Sequence, residues 1–311
     1  MSTFLLKRGL QAILVLIVAS FAVFLLGRLS GSPAALMLPV DATEEQMRAF
    51  EIEIGLDKPL YVQYWRFASA AATGDFGHSL QWGSNPVSEL FIERLPATLQ
   101  LAGAAMLITF GLGIPLGIGA ALTRGRWLDT VFRWFAAIAQ ATPSFWLAFL
   151  LIAVVGVWLG WLPFAGREGI QSVVLPAIAI AMYPFAGVMR LTRSGMLEVL
   201  GEEYVFFARA KGLSERLVIL RHALRNALIP VVTFSGIIVV SNFLVGSLAV
   251  EVVFAWPGVG RLAYESVVLR DFPTLQGLTL IFATMFIVAN LIVDISYALL
   301  DPRIRRLDDQ V

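Results

Sequence analysis

Few residues in this 311-residue chain are of types that do chemistry, and their spacing limits what that chemistry can be. Cysteine is absent, which removes disulfides, thiolate metal sites and thiol nucleophiles together. The two histidines, His78 and His222, lie far apart, and neither has a companion at metal-ligand spacing. No loop gathers an acid and a base, so no enzyme site is indicated. There is also no G-x-x-x-x-G-K-[ST] stretch, hence no phosphate-cradling loop. Asn290 and Asp294 are four apart and share one helix face inside an apolar run, where an ionisable group is costly unless it finds a partner. Two readings stand for Asp294: contact with a passing solute, or pairing with a nearby arginine or water, since the run ends about two turns later. Asn242, in another apolar run, either lines a path or bonds to a neighbouring helix.

The remaining chemically distinctive stretch is basic. Residues 201–230, GEEYVFFARAKGLSERLVILRHALRNALIP, form the longest basic segment of an otherwise apolar chain. The pattern predicts two short helices around a turn, with Gly212 taking the positive φ of a helix C-terminus and Ser214 as the next N-cap. Glu215 opens the second helix, while Arg221, His222 and Arg225 fall near its end, each charge matching the helix dipole. Leu217, Leu220, Leu224 and Leu228 form a seam at spacings of three and four, expected to pack on the body of the protein. Val218 and Ile219 would then project outward beside Lys211, Arg216 and Arg221, as a docking surface for a soluble partner requires. The alternative is an ordinary cytoplasmic loop, basic only through membrane topology.

What must position these residues is a set of membrane spans. Apolar residues make up 58% of the chain and charged residues 14%, against about 25% in soluble domains, and the mean hydropathy is +0.80. These values exclude a soluble globule. A span needs about 20 residues to cross roughly 30 Å of hydrocarbon. Six fit, at about 9–29, 96–122, 131–159, 173–189, 229–250 and 274–300; the first is read as retained because no convincing cleavage site follows it. Gly113 and Gly117 in the second span allow close helix approach. Pro143 lies inside the third, and Pro176 and Pro184 inside the fourth. With this topology the cytoplasmic side carries 15 of the 23 basic residues and the outside 8, which places both termini in the cytoplasm.

The organisation read from this is an all-α integral membrane protein: 1–30, a short tail and first span; 31–95, an acidic extracytoplasmic segment; 96–300, a core of five further spans that includes the 201–230 loop; and 301–311, a cytoplasmic tail. In the extracytoplasmic segment Thr43 and Gln46 have capping-box spacing, Met47, Phe50 and Ile54 form an apolar stripe and Gly55 supplies a stop, which predicts a helix over 44–54. A second helix, about 60–72, carries Tyr61, Tyr64 and Trp65 and would rest at the membrane interface.

ARAKGLSERLVILRHALRNALIPVV resembles the cytoplasmic loop of permease subunits of the dipeptide and oligopeptide ABC importers. So, in order, do GLDKPLYVQYW, GDFGHSL, RLPATLQLA, PSFWLA, LTRSGMLEVL, VFAWPGVGRL and LLDPRIR, at 55–65, 74–80, 94–102, 143–148, 191–200, 253–262 and 299–305. The resemblance implies the binding-protein-dependent ABC permease fold in a bacterial inner membrane, with an EAA-like loop docking on an ATPase. Carried onto this chain, the ATPase-coupling residues are Ala208, Arg209, Ala210, Lys211, Gly212, Leu213, Ser214, Glu215, Val218 and Ile219. It further implies a second homologous permease subunit, two ATPase subunits or domains that hold ATP and Mg²⁺, and an extracytoplasmic substrate-binding protein for which segment 31–95 forms part of the meeting surface; the alternative for any single residue there is a structural cap on the extracytoplasmic mouth. The chain itself binds membrane lipid but neither cofactor, metal nor nucleic acid. Phe206 and Phe207 depart from the polar or basic pair usual in the family, and no glutamate occupies the first EAA position.

The function expected is an ATP-driven importer subunit for di- or oligopeptides, alternating access with its homologue. The alternative is a proton-coupled secondary transporter with Glu251, Asn290 and Asp294 as relay, but intramembrane charges are sparse and the halves show no inverted repeat. The topology has a direct test: a reporter fused to the C-terminus should be active only as a cytoplasmic fusion, and activity confined to the periplasm would overturn it.

Overall fold

A computed structural model describes residues 2–29, 43–53, 55–232, 234–235 and 247–300. Asn242, most of the expected 229–250 span and the 301–311 tail lie outside the described residues. Among those described, regular structure is helical apart from one isolated bridge between His78 and Pro86. Four helical stretches are long and apolar enough to cross a membrane: Arg8–Arg28, Val87–Leu122, Ile170–Val199 and Phe272–Val293. A bent pair, Trp127–Ala141 with Ser144–Trp158, brings the number to five if it counts as one span. The chain divides into two compact units, Met1–Leu95 with Leu262–Val311, and Pro96–Arg261.

In the first unit, α1 (Ser2–Leu29) packs along α13 (Phe272–Leu300), and two shorter helices, α2 (Glu44–Glu53) and α3 (Leu60–Ala72), lie between them in sequence. α2 opens on the expected capping box: Thr43 N–H donates to Gln46 Oε1 at 2.9 Å and Gln46 N–H to Thr43 Oγ1 at 3.3 Å. It closes where Gly55 takes φ +75°, with Gly55 N–H donating to Ile52 and Leu56 N–H to Glu51, the paired bonds of a Schellman end. On α3 the three aromatics part company. Tyr61 and Trp65 are exposed, but Tyr64 turns onto α1, edge-on to Phe21 at 5.3 Å and Phe24 at 5.7 Å, its hydroxyl 2.9 Å from Ser20 Oγ. A residue three positions from Tyr61 and one from Trp65 cannot share both their directions on a helix.

The start of α13 is pinned by Asp271. Its carboxylate accepts from Thr274 N–H within the helix and from the Ser79 hydroxyl (2.5 Å) and the Leu80 and Gln81 N–H groups of the 74–80 turn. This fully buried acid satisfies orphan donors of a helix N-terminus and a distant loop at once.

α4 (Val87–Leu122), which belongs to the second unit from Pro96 onward, begins nine residues before the expected 96. At 1.5 Å per residue its 36 residues reach about 54 Å, well beyond about 30 Å of hydrocarbon, so the polar start continues the helix outside the bilayer. Pro96 therefore lies inside the helix. α7 (Val174–Val199) is the most buried of the four long apolar helices among the described residues and overruns the expected 173–189 by ten residues. Gly113 and Gly117 face it: a Cβ on Gly117 would stand 2.7 Å from the Met189 carbonyl oxygen and 2.6 Å from Thr192 Cβ, and one on Gly113 would stand 2.9 Å from Val188 Cγ1.

The expected third span, 131–159, is not one rod. α5 (Trp127–Ala141) stops at Thr142, which is extended, and α6 (Ser144–Leu151) starts after Pro143, continuing as a π-helical segment to Trp158. The two halves meet at 104°. Proline explains the break: it has no N–H to give and drives the preceding residue out of the helical region. Gly117→Leu should cost about 1–3 kcal/mol through overpacking, because one of the atoms it meets is a backbone carbonyl that cannot step aside; a melting temperature in detergent no lower than the parent's would refute this.

Candidate coupling site

The basic stretch is a helix, a turn and a broken helix. α8 (Glu203–Ala210) ends as expected, with Gly212 at φ +77° donating its N–H to the Arg209 carbonyl at 2.9 Å. No atom stands within 4 Å of where a Gly212 Cβ would be, so the glycine is required by its backbone angle and not by lack of space. Ser214 occupies the N-cap position of α9 (Glu215–Leu217), though its side chain makes no capping bond.

Across the turn Arg209 forks onto Glu215, Nη2 to Oε1 at 2.7 Å and Nε to Oε2 at 3.1 Å. Hydrogen bonding to Arg209 holds the Glu215 carboxyl below the ordinary carboxylate range, and Glu215 raises Arg209 in turn. The clamp is therefore intact at neutral pH and is lost as pH falls through that lowered value. Both partners are exposed, so salt weakens it.

The second helix departs from the expected phase. After α9 the chain makes a π-helical segment (Val218–Ala223) before α10 (Leu224–Ala227). That extra residue per turn moves the inward row to Val218, Ala223 and Ala227, spaced five and then four. Val218, expected outside, is fully buried with Val205 and Ala208. Ile219 is half-buried with Leu224 beside Ala223, Ala227, Met196 and Ala121. Leu217 and Leu220, expected inside, are exposed. The seam at spacings of three and four assumed an unbroken α-helix.

α10 is seated closely on α7. A Cβ on Gly195 would fall 2.5 Å from the Ala227 carbonyl oxygen, and Asn226 Nδ2 donates to Tyr204 Oη at 2.7 Å. Outside this seat lies a mixed face. Phe206 and Phe207 are 69% and 59% exposed, flanked by exposed Lys211, Arg216 and Arg221. Of the other sequence-picked residues, Arg209, Ala210, Ser214 and Glu215 are exposed and Leu213 is half-buried.

Residues 113–306 match the family described as "Binding-protein-dependent transport system inner membrane component", and residues 1–102 match its N-terminal companion. The chain belongs to this family. The permease is 41% identical over 307 residues to the glutathione transport system permease protein GsiC of Salmonella paratyphi A, covering 98% of this chain and 99% of that one. It is 40% identical over 314 residues to a putative peptide transport system permease of Brucella abortus, with the same coverage. Among solved structures it resembles an inward-facing MetNI methionine ABC transporter, with a TM-score of 0.51 at 19% identity over 66% of this chain and 95% of that one. That likeness is one of fold. The permease is an inner-membrane protein of the ABC transporter class.

The permease core holds two polar centres, one that sequence reasoning passed over and one that it named only as a relay end. Asp129, buried at the start of α5, takes a bidentate pair from Arg193 of α7 at 2.8 and 2.9 Å and a bond from Gly125 N–H. Nothing local marked it, since its partner is 64 residues away. Glu251 of α11 (Ser247–Val253) is wholly buried, accepting from the Thr98 hydroxyl at 2.8 Å and Arg261 N–H at 3.0 Å. Thr98 accepts in turn from Val259 N–H at the start of α12 (Val259–Val268), and Trp256 Nε1 donates to the Ala97 carbonyl. A Cβ on Gly258 would collide with the Glu251 carboxylate, so the WPGVG turn is built around this acid. Glu251 thus serves as a structural tie and not as the relay end required by the secondary-transporter reading.

α13 carries both Asn290 and Asp294; Asn290 lines a cavity of about 410 Å³ with Arg8 and Gln11 of α1. His78 has no acidic or imidazole cluster around it among the described residues. Asp129→Ala should destabilise the permease by about 3–5 kcal/mol, because a guanidinium is left partly buried and unpaired. The double variant with Arg193→Ala should cost less than the sum of the single ones, read from unfolding in mixed detergent.

Proposed function

We propose that this permease is one transmembrane subunit of an ATP-driven importer for di- or oligopeptides, with six spans and both termini cytoplasmic. The observation that carries the reading is identity of about 40% across 98% of the chain to permeases of glutathione and peptide systems, both peptide-class cargoes. Four or five spans fall among the described residues, and the remaining stretch at 229–250 is long enough to cross.

In this reading the translocation path forms between the chain and a homologous permease subunit, and an extracytoplasmic binding protein delivers cargo. Two ATPase subunits or domains hold ATP and Mg²⁺ and dock on the exposed side of residues 201–230. The permease has no nucleotide loop of its own, so its part is mechanical and non-catalytic. Closure of the ATPases displaces α8 and α9, and the tight seat of α10 on α7 carries that displacement into the spans. Cargo and nucleotide each shift the inward–outward equilibrium only by their differential affinity for the two states. Contact at the docking face is made by Phe206, Phe207, Leu217 and Leu220 within a basic rim. Val218 supports that face from beneath.

Uptake of a labelled peptide into proteoliposomes holding the complete complex should require ATP and stop when the partner ATPase is disabled; uptake following a proton gradient alone would sink the proposal. Gly212→Asp should insert normally, since the site has room, yet lose ATPase docking at least tenfold by co-purification, because it strains the φ +77° turn and sets a carboxylate on a basic face.

A further inference from the structure

The break between α5 and α6 opens a cavity of about 300 Å³ lined by Gln140, Ala141, Thr142, Pro143 and Ser144 at the bend and by Ile180 and Tyr183 of α7. With the bent pair counted as one span, Pro143 sits midway along the apolar stretch from Trp127 to Trp158, where lipid offers no hydrogen bonds. Four of the seven lining side chains are nonetheless polar. The Thr142 hydroxyl is spent locally on the Ile138 carbonyl at 2.7 Å. The Gln140 amide, the Ser144 hydroxyl and the Tyr183 hydroxyl make no hydrogen bond among the described residues. Tyr183 is 48% exposed on α7, the most buried of the four long apolar helices among the described residues.

Three unpartnered polar groups around one gap in a span are expensive against hydrocarbon. Irregular backbone at membrane depth is tolerated where it lines a water-filled path. Exposed neighbours on the same two helices, Trp134, Ile138, Phe145, Trp146 and Phe149, are apolar, as a lipid-facing surface requires. Beyond the first turns of α5, where Thr130 and Arg133 are exposed, polarity is thus concentrated at the bend.

We infer that the Gln140–Ser144 bend together with Tyr183 is a contact site for the peptide backbone of the cargo inside the translocation path. No charged side chain lines it, which disfavours the ionised termini as the recognised groups and favours neutral amides. An amide such as Gln140 both donates and accepts, as do the two hydroxyls, so they match peptide N–H and C=O groups whatever the cargo side chains. The volume lies at the small end of ligand pockets, about 300–1,000 Å³, and takes a segment of cargo at a time. This rests on the peptide-importer reading above.

The absence of cysteine makes the test clean. Ser144→Cys introduces a single thiol into this chain, to be probed in proteoliposomes of the complete complex, assembled with otherwise cysteine-free partner subunits, using a membrane-impermeant anionic maleimide. Maleimide reacts with the thiolate, which forms only where water reaches. The expected result is labelling that slows at least threefold during turnover with binding protein, ATP and the tripeptide Ala-Ala-Ala. A thiol that stays inert, covered by lipid or by the partner permease, overturns the inference. Gln140→Leu and Tyr183→Phe should each lower uptake of radiolabelled Ala-Ala-Ala at least fivefold in complexes isolated at parental yield, and unchanged uptake in both overturns it equally. Absence of peptide uptake by the parent complex would overturn the cargo class itself, and is seen before any variant is made.

Discussion

Hydrocarbon supplies no hydrogen bonds, so every backbone N–H and C=O that enters it must be satisfied within its own segment or face water. That requirement leaves the helix as the structural unit of this chain. It also gives meaning to each departure from the helix. The 104° break at Pro143 and the buried acids Asp129 and Glu251 are places where polar groups remain inside an apolar body, and each is either tied off or open to a cavity. Asp129 is tied by Arg193, and Glu251 by Thr98 and Arg261.

Between the helices, lipid and protein are equally apolar, and association relies on close packing. Glycines at 113, 117 and 195 bring backbone against backbone, and alanines at 120, 121, 136, 186, 223 and 227 keep the seams thin. Thin seams are stiff ones. The helices of residues 201–230 rest on α7 through Ala223 and Ala227, with Met196, Ile219 and Leu224 packed in the same seam.

The 201–230 stretch divides its residues between two tasks. Arg209 and Glu215 are used on one another to hold the turn closed, leaving the outward face to the aromatic pair and the basic rim. Phe206 and Phe207 stand exposed on that face, where an apolar contact with the ATPase would form under the proposed function. Such a contact would depend less on salt than an ionic one.

Much of this was legible in the residues alone. Apolar run lengths marked the spans, the Thr43–Gln46 spacing and Gly55 marked both ends of α2, Gly212 marked the turn of the 201–230 stretch, and Gly113 and Gly117 marked a close approach. All are local signals, set by propensity and by the backbone angles a residue tolerates. What the tertiary structure alone decided was phase and partnership. A π-helical segment after Leu217 set the inward row at Val218, Ala223 and Ala227 and left Leu220 exposed while Leu224 stayed against the body, because a wider turn rotates the side chains that follow it. Tyr64 turned inward because α1 offered it Phe21, Phe24 and Ser20. Asp129 and Glu251 found partners 64 and 153 residues away, and no spacing rule reaches across that separation. Sequence determines which groups must be buried or bonded; only packing in three dimensions determines with which partner, because that choice depends on distances the chain acquires after its helices meet.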